Sequence, residues 1–244
     1  MERANKKVAI ARAIETRLRY NLGTKFNIDI FDKFKNEPNF TLVFLPFDNS
    51  IDGFSHKRNG HYIIVINSNN NNNRNNFTCA HELYHLLYEY NGNDYVPQSN
   101  SEEMANIFAS YFLVPEDALY LYLQEKGLIK KGKLSLKDIV NIEDYFQVSR
   151  NAILIRLKDE NLISQSEYDT YSKNVLLGVK RCGGKIENHL EHEKPLKCTQ
   201  GEYMELAKKL LESKKISEGK YEEYIIDAFN SNLLYNNSEG DWWQ

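Results

Sequence analysis

The segment 77–87 most constrains how this chain can fold, because it contains the pattern His81-Glu82-x-x-His85 inside an apolar, helix-forming run. Histidines four positions apart lie on one face of a helix, so their imidazole rings can bind the same metal ion. The glutamate between them is placed to act on a water molecule at that ion. We therefore predict a helix over residues 77–90 that carries a catalytic metal site, with Glu82 as the general base.

The composition excludes several other classes of protein. The chain has 244 residues and a net charge of −3, which gives no indication of binding to nucleic acid or to an anionic membrane. No apolar run approaches the ~18 residues of a membrane span, and the first twenty residues are too highly charged for a signal peptide. Three cysteines do not suggest a disulfide framework. We expect a cytoplasmic protein with no membrane contact, and the sequence does not favour direct nucleic-acid binding.

The region before the histidine pattern predicts an α+β fold. Apolar residues at helical spacing predict a helix over 4–21, in which Val8, Ile14 and Leu18 belong to the apolar stripe. The runs 41–45, 51–56 and 61–66 follow a strand pattern, and Asn59-Gly60 is a hairpin turn signal. These runs predict a small, three-stranded, mainly antiparallel sheet packed on helices.

An asparagine-rich segment, residues 67–76, separates the last predicted strand from the helix with the histidines. Asparagine is a poor helix and strand former, so we predict a loop.

The rest of the chain has helical patterns. The first predicted helix begins near Ser99 or Ser101 and ends before Pro115. Six more are predicted over 116–127, 135–146, 149–159, 164–177, 200–214 and 217–235, with a linker over 178–199. We divide the chain into a metallopeptidase core (1–115), a helical lobe (116–177) and a helical C-terminal extension (178–244).

A catalytic zinc ion takes three protein ligands and leaves one position open for water. His81 and His85 supply two ligands, and Glu102 and Glu103 are the only acidic pair on the next predicted helix. The spacing favours Glu102, because Asn106 then lies one turn later on the same face and can orient a ligand imidazole. We predict His81, His85 and Glu102 as ligands of one Zn²⁺, and Glu103 stays an alternative to Glu102.

These residues resemble the ImmA/IrrE family of gluzincin-like zinc metallopeptidases. The resemblance rests on the segment 77–87, on Glu102-x-x-Ala105-Asn106 and on Leu113-Val114-Pro115, and it extends over about residues 5–170. In that family the third zinc ligand is the glutamate three residues before the Ala-Asn pair, which implies Glu102. The chain departs from the family pattern at Tyr84, where glycine is usual, and in its asparagine run.

The resemblance also implies a substrate. Members of the family encoded by mobile elements, phages and stress regulons cut a helix-turn-helix transcriptional repressor. We therefore predict a zinc-dependent endopeptidase that cleaves such a repressor at a specific site. The alternative is a non-catalytic, metal-binding regulator that binds and sequesters a repressor or an antitoxin.

Three features leave alternatives open. His56, His61 and several tyrosines are candidates for stabilising the oxyanion of the reaction. Cys182, His189, His192 and Cys198 form a possible second metal site, but their spacing fits a polar linker better. Residues 135–157 resemble a helix-turn-helix, although a helical lobe that covers the cleft or docks the repressor is favoured.

Overall fold

The computed structural model describes residues 2–48, 50–97 and 99–230, and it is an α+β structure, as predicted. The helices are α1 (Glu2–Arg19), α2 (Ile30–Lys35), α3 (Asn72–Tyr88), α4 (Ser101–Leu113), α5 (Glu116–Glu125), α6 (Leu136–Phe146), α7 (Arg150–Asp159), α8 (Gln165–Tyr171), α9 (Val175–Cys182), α10 (Glu202–Glu212) and α11 (Glu218–Asp227). Short 3-10 turns occupy Ile129–Lys131 and Ile186–His189. The strands are β1 (Phe40–Leu45), β2 (Gly53–Arg58), β3 (His61–Asn67), β4 (Tyr90–Asn91), β5 (Asp94–Tyr95) and β6 (Cys198–Gly201).

The main sheet differs from the prediction of three mainly antiparallel strands. It has four strands in the order β2-β3-β1-β6, and it is mixed. The hairpin of β2 and β3 is antiparallel as predicted, but β3 inserts beside β1 and runs parallel to it. The fourth strand, β6, pairs antiparallel with β1 and leaves β2 at the opposite edge of the sheet.

The sheet is held against the helices by alternating apolar side chains. Phe40, Leu42 and Phe44 alternate along β1 and are buried, as strand geometry requires when one face packs on a core. Ile64 and Ile66 on β3 are fully buried in the same core. This packing places β2 and β3 against α3, the helix with the two histidines.

The asparagine run is more ordered than predicted. The prediction of a loop over 67–76 is wrong for residues 72–76, because α3 already begins at Asn72. Asn71 caps the helix, and its side chain accepts a hydrogen bond from the backbone N–H of Arg74 at 2.9 Å. The Asn76 amide donates to the carbonyl of Gln147 at 2.9 Å, so an unfavourable helix former is retained through tertiary contacts.

The helix α1 forms as predicted, but it buries a different face. Val8, Ile14 and Leu18 are 43%, 42% and 60% exposed, whereas Ala13 and Arg17 are fully buried. The Arg17 guanidinium donates to three backbone carbonyls, and burial lowers its pKa to about 10. Small residues allow α1 to pack closely on α4, and an arginine can lie inside because its donors are satisfied.

The C-terminal third of the chain corrects three predictions. The predicted helix 164–177 is divided into α8 and α9, with Asn174 in a left-handed conformation before α9. The predicted linker 178–199 contains the end of α9, a 3-10 turn and the start of β6. The predicted helix 217–235 is shorter than predicted: α11 ends at Asp227, residues 228–230 are not helical, and residues 231–235 lie outside the described part of the chain.

Candidate metal centre

Three side chains from two helices converge at one end of α3. His81 and His85 project from the same face of α3, and Glu102 lies in the first turn of α4. The two imidazole Nε2 atoms are 3.0 Å apart. The Glu102 carboxylate approaches them from the side, with one oxygen 3.2 Å from His81 Nε2 and the other 3.6 Å from His85 Nε2. In residues 2–48, 50–97 and 99–230, this is the only group of three His, Cys, Asp or Glu side chains with the geometry of a metal site.

The spacing of these atoms fits a tetrahedral zinc ion. Zinc binds imidazole nitrogen and carboxylate oxygen at about 2.0–2.1 Å, so two ligand atoms of a tetrahedron lie about 3.3 Å apart. The two Nε2 atoms, 3.0 Å apart, and the Glu102 oxygen that lies 3.2 Å from His81 Nε2 are both close to that value, and the second Glu102 oxygen is 3.6 Å from His85 Nε2. Two histidines and one glutamate are also a ligand set of catalytic zinc sites. Glu102 is on the solvent side of the group, because 77% of its side chain is exposed.

The opposite nitrogen of each imidazole already has a partner. Asn106, on the same face of α4 as Glu102, has its Oδ1 atom 3.1 Å from His81 Nδ1. Glu89, four residues after His85 on α3, has its Oε2 atom 2.7 Å from His85 Nδ1. These contacts fix the rings so that both Nε2 atoms face the same point.

Glu89 is a residue that the sequence analysis missed. Its carboxylate is fully buried, and its Oε2 atom also accepts hydrogen bonds from Ser101 Oγ at 2.7 Å and from Tyr95 OH at 3.1 Å. The signal was present in the sequence, since Glu89 follows His85 by one helical turn. A buried carboxylate with three donors on one oxygen holds the His85 ring more firmly than a solvated partner would.

The general-base candidate Glu82 is positioned from the sheet. Its Oε2 atom accepts a hydrogen bond from Ser55 Oγ at 2.8 Å, and Ser55 is in the middle of β2. Glu82 is only 9% exposed, yet it lines the same cleft as the three ligand candidates. The cleft has a volume of about 570 Å³, and Asp52 and residues 53–55 of the edge strand β2 form one of its walls.

The close approach of β2 to α3 depends on Gly53. A Cβ atom at this position would lie 2.6 Å from the carbonyl oxygen of Val65 and 2.7 Å from Cγ2 of Thr78. Both distances are too short for any side chain, so only glycine allows the strand to lie this close to the helix.

A match to a protein-family model covers residues 36–158, from just before β1 to the end of α7. The model is that of the peptidase M78 family and describes the IrrE N-terminal-like domain. The chain belongs to the peptidase M78 family. The match includes His81, Glu82, His85 and Glu102, and it extends over half of the chain. Comparison with curated proteins finds no match.

Within this M78 domain, the cleft has tyrosines rather than histidines as further donors. Tyr90 and Tyr95 line it, whereas His56 and His61 are exposed strand residues outside its lining. Burial raises the pKa of Tyr95 to about 12, and its hydroxyl donates to Glu89. The Tyr90 hydroxyl donates to the Ser55 carbonyl at a longer distance, 3.4 Å, so it is the less committed donor.

Tyr84, which stands where the ImmA/IrrE pattern has glycine, lies outside the lining of the cleft in this M78 domain, and its ring meets the ring of the candidate ligand His85 edge-on, with centroids 5.8 Å apart. It is fully buried, and its hydroxyl accepts a hydrogen bond from Arg12 on α1 at 2.6 Å. Its ring packs against Phe108 on α4. Tyr84 therefore fills space between α1, α3 and α4.

The four residues weighed as a second metal site do not converge. His189 contacts Asn73 in the first turn of α3 and Glu143 on α6. His192 contacts Asn72, the first residue of α3. Cys182 and Cys198 are free thiols on α9 and β6.

In the part of the chain that the structure describes, no helix has the length and apolar character needed to cross a membrane.

Proposed function

We propose that this member of the peptidase M78 family is a zinc-dependent endopeptidase. The observation that carries the proposal is the convergence of His81, His85 and Glu102 on one point, in a cleft that also contains the Glu82 carboxylate. Two imidazoles and a carboxylate leave a fourth position open, which is the arrangement of a catalytic zinc site.

The residues of the chain divide the work of hydrolysis. His81, His85 and Glu102 would hold the ion, which when bound supplies a Lewis acid that polarises the scissile carbonyl and acidifies water. Glu82 accepts a proton from the attacking water and donates it to the leaving amine. Ser55 holds the Glu82 carboxylate toward the cleft during both transfers.

The substrate is expected to bind as an extended strand. Strand β2 is at the edge of the sheet, and residues 53–55 line the cleft beside Glu82. An edge strand offers unpaired N–H and C=O groups to a peptide, which then pairs in register with it. Tyr90, which also lines the cleft, is the donor that we assign to the developing oxyanion.

The natural substrate that we propose is a helix-turn-helix transcriptional repressor. This part of the proposal is supported by the resemblance to the ImmA/IrrE family. The first substrate to test is the repressor protein that is encoded nearest to the gene of this protein.

The test combines metal content with cleavage. Purified wild-type protein should contain about one zinc per chain by plasma mass spectrometry, and His81→Ala should lose it, since a catalytic site needs all its ligands. Glu82→Gln should keep the metal and lose cleavage of the repressor, because the amide cannot accept a proton. Glu116→Gln, an exposed glutamate at the start of α5, is the control that should retain both.

Two results would contradict the proposal. If Glu82→Gln still cleaved the repressor, Glu82 would not be the base. If it failed to cleave but still relieved repression in cells as well as the wild type does, the protein would act by binding the repressor.

A further inference from the structure

A second, larger cavity continues from the candidate metal centre. It has a volume of about 790 Å³, and it shares Asp52, Phe77, Thr78 and Asn106 with the catalytic cleft. Asn106 connects the two, since it contacts His81 and also lines the second cavity. The two spaces therefore form one groove that begins at the metal ligands.

Three helices form the walls of this groove, each with residues at helical spacing. On α4 the lining residues recur about once per helical turn and so lie on one face: Glu103, Asn106, Ile107, Ser110 and Tyr111. On α7 they are Asn151, Ala152, Ile155 and Asp159, again on one face. Helix α7 belongs to the helical lobe, so the groove extends from the site on α3 and α4 to that lobe.

The groove offers apolar contacts at its far wall. Ile155 is 41% exposed and lines the groove, while the next two residues on the chain, Arg156 and Leu157, are fully buried. Ile107 of α4 and Ala152 of α7 also line it. An isoleucine left half-exposed at the wall of a concave groove is ready to bury apolar surface of a partner.

Three of the four charged side chains that line this groove form ion pairs within the chain, and the fourth, Glu103, is exposed on α4. Arg74 forms an ion pair with Asp52 at 2.7 Å, and Asp159 forms one with Lys6 at 2.8 Å. These pairs weaken the field that a charged side chain of a ligand would experience. Apolar complementarity is therefore the main recognition that the far wall provides.

We infer that α7 forms a specificity wall of the substrate groove, and that this wall takes a bulky aliphatic or aromatic side chain of the bound peptide. Ile155 is the specificity-determining contact. The inference rests on the proposed function, because the occupant is the same peptide chain that lies in the catalytic cleft. It deepens that function by assigning a substrate class: sequences with a bulky apolar residue near the scissile bond.

The test measures peptide binding without cleavage. Zinc-loaded, full-length protein with Glu82→Gln is used to select binders from a random peptide library displayed on phage. We expect leucine, isoleucine, phenylalanine or methionine to be enriched at one position of the selected peptides. Adding Ile155→Asp should weaken binding of a selected peptide at least tenfold, because a carboxylate replaces the apolar contact.

Two further variants control for damage to the fold. Ile14→Asp makes the same substitution on α1, at an isoleucine of equal exposure (42%) that does not line the groove, and it should change the affinity less than twofold. Ile155→Trp keeps the wall apolar but fills the groove, so it should weaken peptides with a bulky side chain more than those with alanine at that position. No enrichment, no peptide bound, or an affinity unchanged in Ile155→Asp would overturn the inference.

Failure of this inference and failure of the proposed function give different results. If wild-type protein binds the selected peptides through Ile155 but never cuts them, the specificity wall stands and the peptidase proposal fails. If it cuts peptides with no apolar preference and Ile155→Asp cuts them equally well, the peptidase proposal stands and the specificity wall fails.

Discussion

Replacement of Glu89 should weaken zinc binding while leaving the fold intact. Glu89 contacts no candidate ligand atom directly, but its carboxylate lies 2.7 Å from His85 Nδ1 and is fully buried. We choose Glu89→Gln, which preserves the volume of the side chain and one acceptor oxygen but removes the charge. The carboxamide oxygen can take the place of Oε2, to which Ser101 and Tyr95 donate.

The expected magnitude follows from the hydrogen bond that changes. A hydrogen bond to a charged group contributes about 1.5–3 kcal/mol net, and a neutral one about 0.5–1.5 kcal/mol. The difference of roughly 1–1.5 kcal/mol corresponds to about a tenfold loss of zinc affinity. Glu89→Leu removes the acceptor altogether and leaves the buried imidazole N–H without a partner, so its loss should approach a hundredfold.

The assay is competition for zinc between the apo protein and a chromophoric chelator at neutral pH. Glu212→Gln, an exposed glutamate on α10 that pairs with Lys208 at 3.8 Å, is the control for loss of one negative charge. Thermal unfolding of the apo proteins separates damage to the fold from damage to the site. A Kd for zinc in Glu89→Gln equal to that of the control would refute the reasoning, since the carboxylate would then not hold His85.

Two further predictions concern stability. Gly53→Ala should lower the free energy of unfolding by about 1–3 kcal/mol in chemical denaturation, because its Cβ has no room between β2, β3 and α3. Gly219→Ala on α11, where a Cβ meets nothing within 4 Å, should be neutral or stabilising, and equal losses in both would contradict the account. Burial lowers the pKa of His189, and the opposing charge of Asp144 only partly offsets this, so the unfolded chain binds the proton more readily than the folded one. The free energy of unfolding should therefore fall as the pH drops below about 6.5, and His189→Gln should reduce that slope; a slope unchanged in His189→Gln would assign it to other groups.

The sequence was most informative where the chemistry is local. His81, Glu82 and His85 are neighbours on one helix, and the structure brings Glu102 from the next helix to the same point. Asn106 could also be anticipated, because one helical turn separates it from Glu102. These residues could be predicted because their positions follow the spacing of residues on one face of a helix.

Residues that depend on long-range packing were not predictable in the same way. Ser55 meets Glu82 only because β2 lies against α3, and the two are 27 positions apart. Strand β6 is short and half polar, so its sequence was assigned to a linker. It forms a strand because it pairs with β1. Arg17 is buried through three carbonyl contacts, one of them 95 positions away, and a basic residue on a helix ordinarily indicates the solvent face.

The late partner of β1 has a consequence for how the chain is made. Strand β1 ends at Leu45 and β6 begins at Cys198, so 153 positions separate the two edges that pair. During synthesis, the whole segment that holds the candidate metal ligands emerges while one side of β1 still has open N–H and C=O groups. An open strand edge with Leu42 and Phe44 beside it is a site for wrong pairing with other chains. The order of the strands thus leaves this edge of the sheet open until the C-terminal extension supplies β6.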